Sequence, residues 1–147
     1  MASSAYWYNN ALFQAFKQNL DLEGGTLEVL LVDSNYTFNA NHVNVSEITN
    51  EVTNNNGTGY ERKSVSGFSI SLDSSNNKVN FDCNDVSYTA IDTNEDLRAM
   101  ILYVKNTNDS DSVLVGYFQG EVLPTNGSDI SLAISVSGLA DVVNQLS

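Results

Sequence analysis

The chain has 147 residues, a mass of 16.0 kDa and a formal net charge of −12 from 18 acidic and 6 basic residues. This is the length of one ordinary domain, and the negative charge makes duplex DNA and anionic membranes poor partners. A single cysteine and a single histidine exclude an intramolecular disulfide and a Cys/His metal cluster within one chain. We expect synthesis in a cytoplasm, because the sequence shows neither a secretion signal nor the ~20 apolar residues of a membrane span.

Residues 1–25 are predicted to form an N-terminal arm that contains a short helix. Leu12, Phe13, Phe16 and Leu20 recur at helical spacing over two turns. Gly24-Gly25 then interrupts the pattern before a strand begins.

Residues 26–147 are predicted to form one antiparallel β domain. Six segments have strand patterns, at 26–32, 68–72, 79–83, 97–104, 113–118 and 130–136. The first is almost continuously apolar, as in a strand covered on both faces. In the last, the core-facing side chains are predicted to be Ile130, Leu132, Ile134 and Val136. Because no long helix separates six to eight strands, the fold class is all-β, an antiparallel β-sandwich or a jelly-roll-like barrel.

The connections between these strands are mostly polar. Asp73 to Lys78 has the composition of a hairpin turn. Residues 33–62 form a long loop with one predicted helical turn capped by Ser46, and a loop of this length is usually functional or lies against a partner. At the C-terminus, a short amphipathic helix is predicted from the apolar residues Leu139, Val142, Val143 and Leu146.

The residue types in this sequence give little indication of an active site. His42 is the one imidazole that could serve a nucleophile as general base, and it lies in an Asn-rich loop without a nucleophile elbow. Cys83 continues a strand pattern and is followed by Asp85, which favours a core thiol over a reactive one. No two of the 18 acidic residues are singled out as a glycosidase pair, whose separation is a three-dimensional quantity. We expect no enzymatic activity and no cofactor.

Two acidic segments are candidates for a calcium site. Asp92 to Asp96 begins like an EF-hand loop, but Leu97 and Tyr103 occupy the positions of the required Gly and Glu. Asp109 and Asp111 form a compact pair at a loop tip, for which a polar turn is the alternative. We therefore expect no required metal.

The three consecutive aromatic residues Tyr6, Trp7 and Tyr8 suggest a contact surface. Aromatic side chains with polar tips are frequent anchors at protein interfaces, and a helix this short is marginal unless it packs on something. The predicted partner interface consists of Tyr6, Trp7, Tyr8, Leu12, Phe13 and Phe16. The alternative is that the aromatic residues complete the core of their own domain.

Several short motifs occur in an order that is familiar from one class of proteins. Ala5-Tyr-Trp-Tyr8, Asp21 to Val32 and Asn35-Tyr-Thr-Phe38 are followed by Val79-Asn-Phe-Asp82 and Asp85-Val-Ser-Tyr88. In this arrangement, which extends over residues 5–120, the chain resembles small virion structural proteins of tailed bacteriophages. The resemblance implies a head-decoration (cement) or head-fibre protein that binds the major capsid protein as a homo-oligomer, and that resides in the virion without binding nucleic acid or membrane.

A closed trimer would match the local threefold positions of a capsid lattice. Two alternatives stay open at this stage. The chain could be a tail or neck component, or it could be a carbohydrate-binding β-sandwich in which Tyr36, Tyr60 or Tyr88 stacks on sugar.

Overall fold

A computed structural model describes residues 4–52, 60–89, 91, 96–124, 129–132 and 140–143. These residues form one α-helix and ten strands. In chain order they are β1 (Ser4–Trp7), α1 (Asn9–Phe16), β2 (Leu27–Asp33), β3 (Lys63–Ser64), β4 (Ser69–Asp73), β5 (Lys78–Asp82), β6 (Val86–Tyr88), β7 (Asp96–Val104), β8 (Val113–Pro124), β9 (Ile130–Leu132) and β10 (Ala140–Val143).

A five-stranded antiparallel sheet, in the order β1-β8-β7-β2-β3, is the centre of the domain. Its three middle strands carry the nearly continuous apolar runs of the sequence. In β2 every residue from Leu27 to Val32 is buried, including the charged Glu28, so the prediction of a strand covered on both faces is confirmed.

The N-terminal segment belongs to this sheet. Strand β1 pairs with β8 from Ser4↔Gln119 to Trp7↔Gly116, and the Tyr8 amide continues the pairing by donating to the Val115 carbonyl at 3.1 Å. The first residues of the predicted arm therefore form an edge strand, and the helix that follows packs on the same domain.

Successive β1 side chains point to opposite faces of the sheet. The centre of the Tyr6 ring lies 5.4 Å from that of Phe38 and 6.2 Å from that of Tyr117. Trp7, in contrast, packs edge-on against Phe81 of β5, with 4.8 Å between the ring centres. One face of the central sheet is thus covered by the loop after β2, and the other by α1 and the β4–β5 hairpin.

The predicted hairpin is confirmed. Strands β4 and β5 pair from Ser69↔Asp82 to Asp73↔Lys78, and β10 adds to the other side of β5. The prediction of a C-terminal helix is wrong, because Val142 and Val143 lie in β10 opposite Val79 and Lys78. β-Branched residues fit such a ladder better than a helix.

Strand β9 pairs with β6, with Ser131 opposite Ser87. Ile130 packs against the core and Ser131 is exposed, as the alternating pattern predicts. Ile134 and Val136, which belong to the same prediction, lie outside the described residues.

The loop after β2 is built into the domain. Tyr36, Val45 and Val52 are all buried in the core, and isolated bridges join Val32 to Glu51 and Asn44 to Val113. The predicted helical turn is a 3₁₀ helix at Val45–Glu47. Its N-cap is Asn44 and not Ser46, because the Glu47 carboxylate accepts a hydrogen bond from the Asn44 amide at 2.8 Å.

The fold is therefore all-β and sandwich-like, with antiparallel sheets and one short helix. The sheets do not close into a barrel within the described part of the chain, so the jelly-roll-like barrel is not the architecture.

Candidate docking surface

Helix α1 ends in a hydrogen-bonded C-terminal cap. The Gln18 amide donates to the Ala15 carbonyl at 3.0 Å and the Asn19 amide to the Gln14 carbonyl at 2.9 Å, the two bonds of a Schellman motif. Gln18 has the left-handed φ of 62° that this motif requires. The helix therefore stops after Phe16, and Leu20, the last residue of the predicted helical stripe, lies beyond it.

The six residues of the predicted interface occupy different environments. Tyr8 is fully buried, and its hydroxyl is 3.0 Å from the Tyr36 hydroxyl. Burial, together with Tyr36, raises the pKa of Tyr8 well above its usual value. Trp7 is half-buried and packs against the core. For these two residues the structure matches the alternative prediction, in which the aromatic residues complete their own core.

The other members of the predicted interface are accessible. Phe16 is 85% exposed, Phe13 56% and Tyr6 48%, and Leu12 is half-buried. The Lys17 ammonium lies 5.0 Å from the centre of the Phe13 ring. A large apolar side chain in water forgoes about 1.5–3 kcal/mol of burial, so we take the exposed Phe13 and Phe16 as a candidate contact surface.

An apolar groove of about 470 Å³ lies between α1 and the β4–β5 hairpin. Its helix side is formed by Leu12, Ala15 and Phe16, and its hairpin side by Ile70, Val79 and Phe81. We call this cavity the α1–β4 groove. The remaining lining residues are Trp7, Ala11, Leu20, Asp21, Leu22, Glu23 and Val115.

The hairpin side of this groove continues into exposed strand surface. Ile70 is 36% exposed and Leu72 is 77% exposed. The alternation of Phe68, Ile70 and Leu72 with serine predicts the strand, but not which of its apolar residues another layer covers. Leu72 lies opposite Val79 in the hairpin, and this end of the apolar face is open to solvent.

A second cavity, of about 320 Å³, is polar. It is lined by Glu28, Arg62, Tyr103, Lys105, Asn106, Thr107, Asn108, Asp109 and Ser112. Its charged groups are paired with one another, since Glu28 accepts from the Tyr103 hydroxyl at 2.7 Å and from the Lys105 ammonium at 3.0 Å. Burial raises the pKa of Tyr103, and hydrogen bonding to Glu28 adds to the shift.

Cys83 and His42, the residues considered for catalysis, line neither of the two cavities. Cys83 is 7% exposed, and burial, with Asp82 and Asp85 nearby, raises the pKa of its thiol to about 11. This confirms the prediction of a core thiol. His42 lies in a turn of the loop after β2 and lines neither cavity.

The two carboxylates that were the calcium candidates already have partners. Asp109 is held by Arg62 at 2.6 Å, and Asp111 accepts a hydrogen bond from the Asn108 amide at 2.8 Å. Residues 92–95 of the other acidic segment lie outside the described residues. Elsewhere in the described ranges, no group of three His, Cys, Asp or Glu side chains is arranged to hold a metal ion.

The tyrosines considered for sugar stacking are enclosed. Tyr36 is 5% exposed and Tyr88 is 1% exposed. Tyr60 stacks on Tyr88 at 5.9 Å and donates its hydroxyl to Glu51 at 2.7 Å. Stacking on a sugar needs an open ring face, which Tyr36 and Tyr88 lack.

Sequence reasoning missed the hairpin side of the groove. Alternation in Ile70 and Leu72 identifies the apolar face of a strand but does not show whether another layer covers it. The pairing of β1 with β8 also escaped prediction, because four residues carry little periodic signal.

No described helix has both the length and the apolar character to span a bilayer. The chain matches no protein-family model, no curated protein and no solved structure. The resemblance to phage virion proteins therefore stays a prediction from the sequence motifs.

Proposed function

We propose that this chain is a non-enzymatic structural protein of a tailed-bacteriophage virion, which binds the major capsid protein as a homotrimer and stabilises the shell. The observation that carries the proposal is the exposed aromatic end of α1, Phe13 and Phe16, beside the open α1–β4 groove. This surface lies in the N-terminal part of the chain, where the resemblance to virion proteins begins.

Charge supports a protein partner over a nucleic acid. A net charge of −12 repels packaged DNA and keeps a protein soluble at high local concentration. Three linked copies also strengthen modest individual contacts by avidity, so that a small apolar surface on each copy suffices.

A tail or neck component would use the same surface at a different position on the particle. A carbohydrate-binding role has weaker support, because the stacking candidates Tyr36 and Tyr88 are enclosed.

The proposal is tested by co-sedimentation with empty capsids of the phage that encodes the chain. The parent should bind, and the double substitution Phe13→Ser/Phe16→Ser should weaken binding at least tenfold while its Tm stays within a few degrees. Val43→Ser, at another exposed apolar residue, is the matched control and should bind like the parent. Failure of the parent to bind capsids would contradict the proposal.

Light scattering tests the trimer separately, because a trimer has three times the chain mass of 16.0 kDa. A monomer that still binds capsids would refute the trimer and leave the docking proposal standing.

A further inference from the structure

Strand β4 forms an open edge of its sheet. The order of that sheet is β10-β5-β4, and no other strand in the described ranges pairs with the outer side of β4. Ser69, Ile70, Ser71 and Leu72 are all exposed. A sheet edge presents unpaired amide and carbonyl groups that can accept another strand.

Within the described residues, this edge lacks the features that usually prevent strand addition. Between Ser69 and Leu72 it has no proline and no charged residue, and its pairing with β5 runs from Ser69↔Asp82 to Asp73↔Lys78 without a bulge. Soluble proteins normally protect edges with lysine, proline, bulges or inward-pointing charges. The first charge comes at Asp73, where the strand ends.

The edge adjoins the α1–β4 groove. Ile70 lines the groove, and Leu72 lies on the same face of the strand because side chains alternate. A strand added to β4 would place every second side chain beside Ile70 and Leu72, where cross-strand pairs form. The same edge thus offers backbone pairing and an apolar recess for side chains, as in recognition by strand addition.

The charges around the groove select the occupant. Asp21 and Glu23 line it, in a chain of net charge −12, whereas Asp73 at the end of the edge strand already lies opposite Lys78 and accepts a hydrogen bond from Asn76. Lys17, on the helix side, lies over the Phe13 ring. A second copy of the chain would bring the same acidic groups together, whereas a segment with basic ends would be attracted.

We propose that the outer edge of β4 and the α1–β4 groove bind an extended segment of the major capsid protein as an added β-strand. This segment alternates apolar residues, which enter the groove, and it carries lysine or arginine at its ends. The identity of the partner rests on the proposed function, whereas the chemistry of the segment rests on the edge and the groove.

Trp7 provides a local readout, since it lines the groove and is the only tryptophan in the chain. The probe is the peptide acetyl-Lys-Val-Thr-Val-Thr-Val-Lys-amide, titrated into the full-length protein at low salt. We expect a saturable change in Trp7 fluorescence below about 1 mM peptide. A peptide with glutamate at both ends and one with N-methylated alternate amides should each bind at least tenfold more weakly.

Leu72→Lys places a charge on the edge at a 77% exposed position, so the fold should survive. It should weaken binding of the probe at least tenfold. Val43→Lys, also at an exposed apolar residue, should bind like the parent. The absence of a saturable change, or equal binding of the glutamate and N-methylated peptides, would overturn the inference.

Three further outcomes separate this inference from others. If Leu72→Lys abolishes self-association in sedimentation velocity, the occupant is a second copy and the inference is wrong. If Leu72→Lys loses the peptide but joins capsids like the parent, strand addition by the capsid protein is wrong and the proposed function stands. If the peptide binds as expected and the parent does not bind capsids, the proposed function and the named partner are wrong. The inference that the edge and groove bind an extended segment with basic ends is then retained.

Discussion

Arg62 joins separate parts of the chain through its guanidinium group. It contacts Glu51 through two hydrogen bonds of 2.8 and 2.7 Å, and Asp109 through two of 2.6 and 3.0 Å. Forked pairs of this kind are stronger and more directional than single contacts. The exposed fractions of the Arg62 and Glu51 side chains, 28% and 26%, leave them only partly screened by water. Arg62 therefore connects the loop that contains Glu51 to the loop that contains Asp109, beside the polar cavity.

Replacing Arg62 tests that role. Arg62→Met should lower the free energy of unfolding by about 1–2 kcal/mol, because two carboxylates lose charged hydrogen bonds. Arg62→Lys keeps the charge without the fork and should lose an intermediate amount. Urea denaturation measures both, and unchanged stability of Arg62→Met would contradict the role of the ion pairs.

The same cluster predicts a pH dependence. Hydrogen bonding to Arg62 holds the pKa of Asp109 below its usual value. The Asp109 contribution to stability is then complete above the unfolded pKa of about 4, and it is lost as pH falls through the lower folded pKa.

Thermal melts between pH 6 and pH 2 test this contribution. As the pH falls below about 4, the Tm of Asp109→Asn should decrease less than the Tm of the parent. Arg62→Met should lose less as well, since it removes the cause of the shift. Parallel curves for all three proteins would show that Asp109 does not contribute to the acid sensitivity.

At the scale of elements, aromatic residues that are neighbours in the sequence lie in different environments. Tyr8, between β1 and α1, is buried in the core, whereas Phe13 and Phe16 of α1 are exposed. The helical spacing of Leu12, Phe13 and Phe16 is sufficient to predict α1. It cannot reveal that Tyr8 is buried, since that depends on Tyr36, 28 residues further along the chain. Nor can it reveal that Phe16 is exposed at a groove whose other side is formed by the β4–β5 hairpin.

This division predicts different effects for two substitutions in one segment. Tyr8→Ala should lower the free energy of unfolding by about 3–5 kcal/mol, because it opens a cavity and leaves the Tyr36 hydroxyl without its partner. Phe16→Ala, at an 85% exposed position, should change it by less than about 0.5 kcal/mol. Chemical denaturation of both variants is the measurement, and comparable losses would refute the division. Deletion of residues 1–20 is unsuitable as a docking test, because it also removes β1 and Tyr8.

At the scale of the molecule, the sequence is sufficient to predict the fold class and most of the strands. Continuous apolar runs identify β2, β7 and β8, because strands covered on both faces need no polar side. The short strands β1, β3, β6 and β10 could not be predicted, because each is defined by its pairing with a partner strand and is too short to show a period of its own. The candidate site was predicted on its helix side alone, because its other side comes from residues some 60 positions later in the chain.

The central claim is that this chain is a capsid-bound structural protein, and cryo-electron microscopy of virions from the encoding phage tests it most directly. We predict density for the protein on the outside of the shell at local threefold positions, with α1 and the β4–β5 hairpin facing the major capsid protein. Placement on the tail or neck, an orientation with Phe13 and Phe16 facing solvent, or absence of the chain from purified virions by mass spectrometry would contradict the claim.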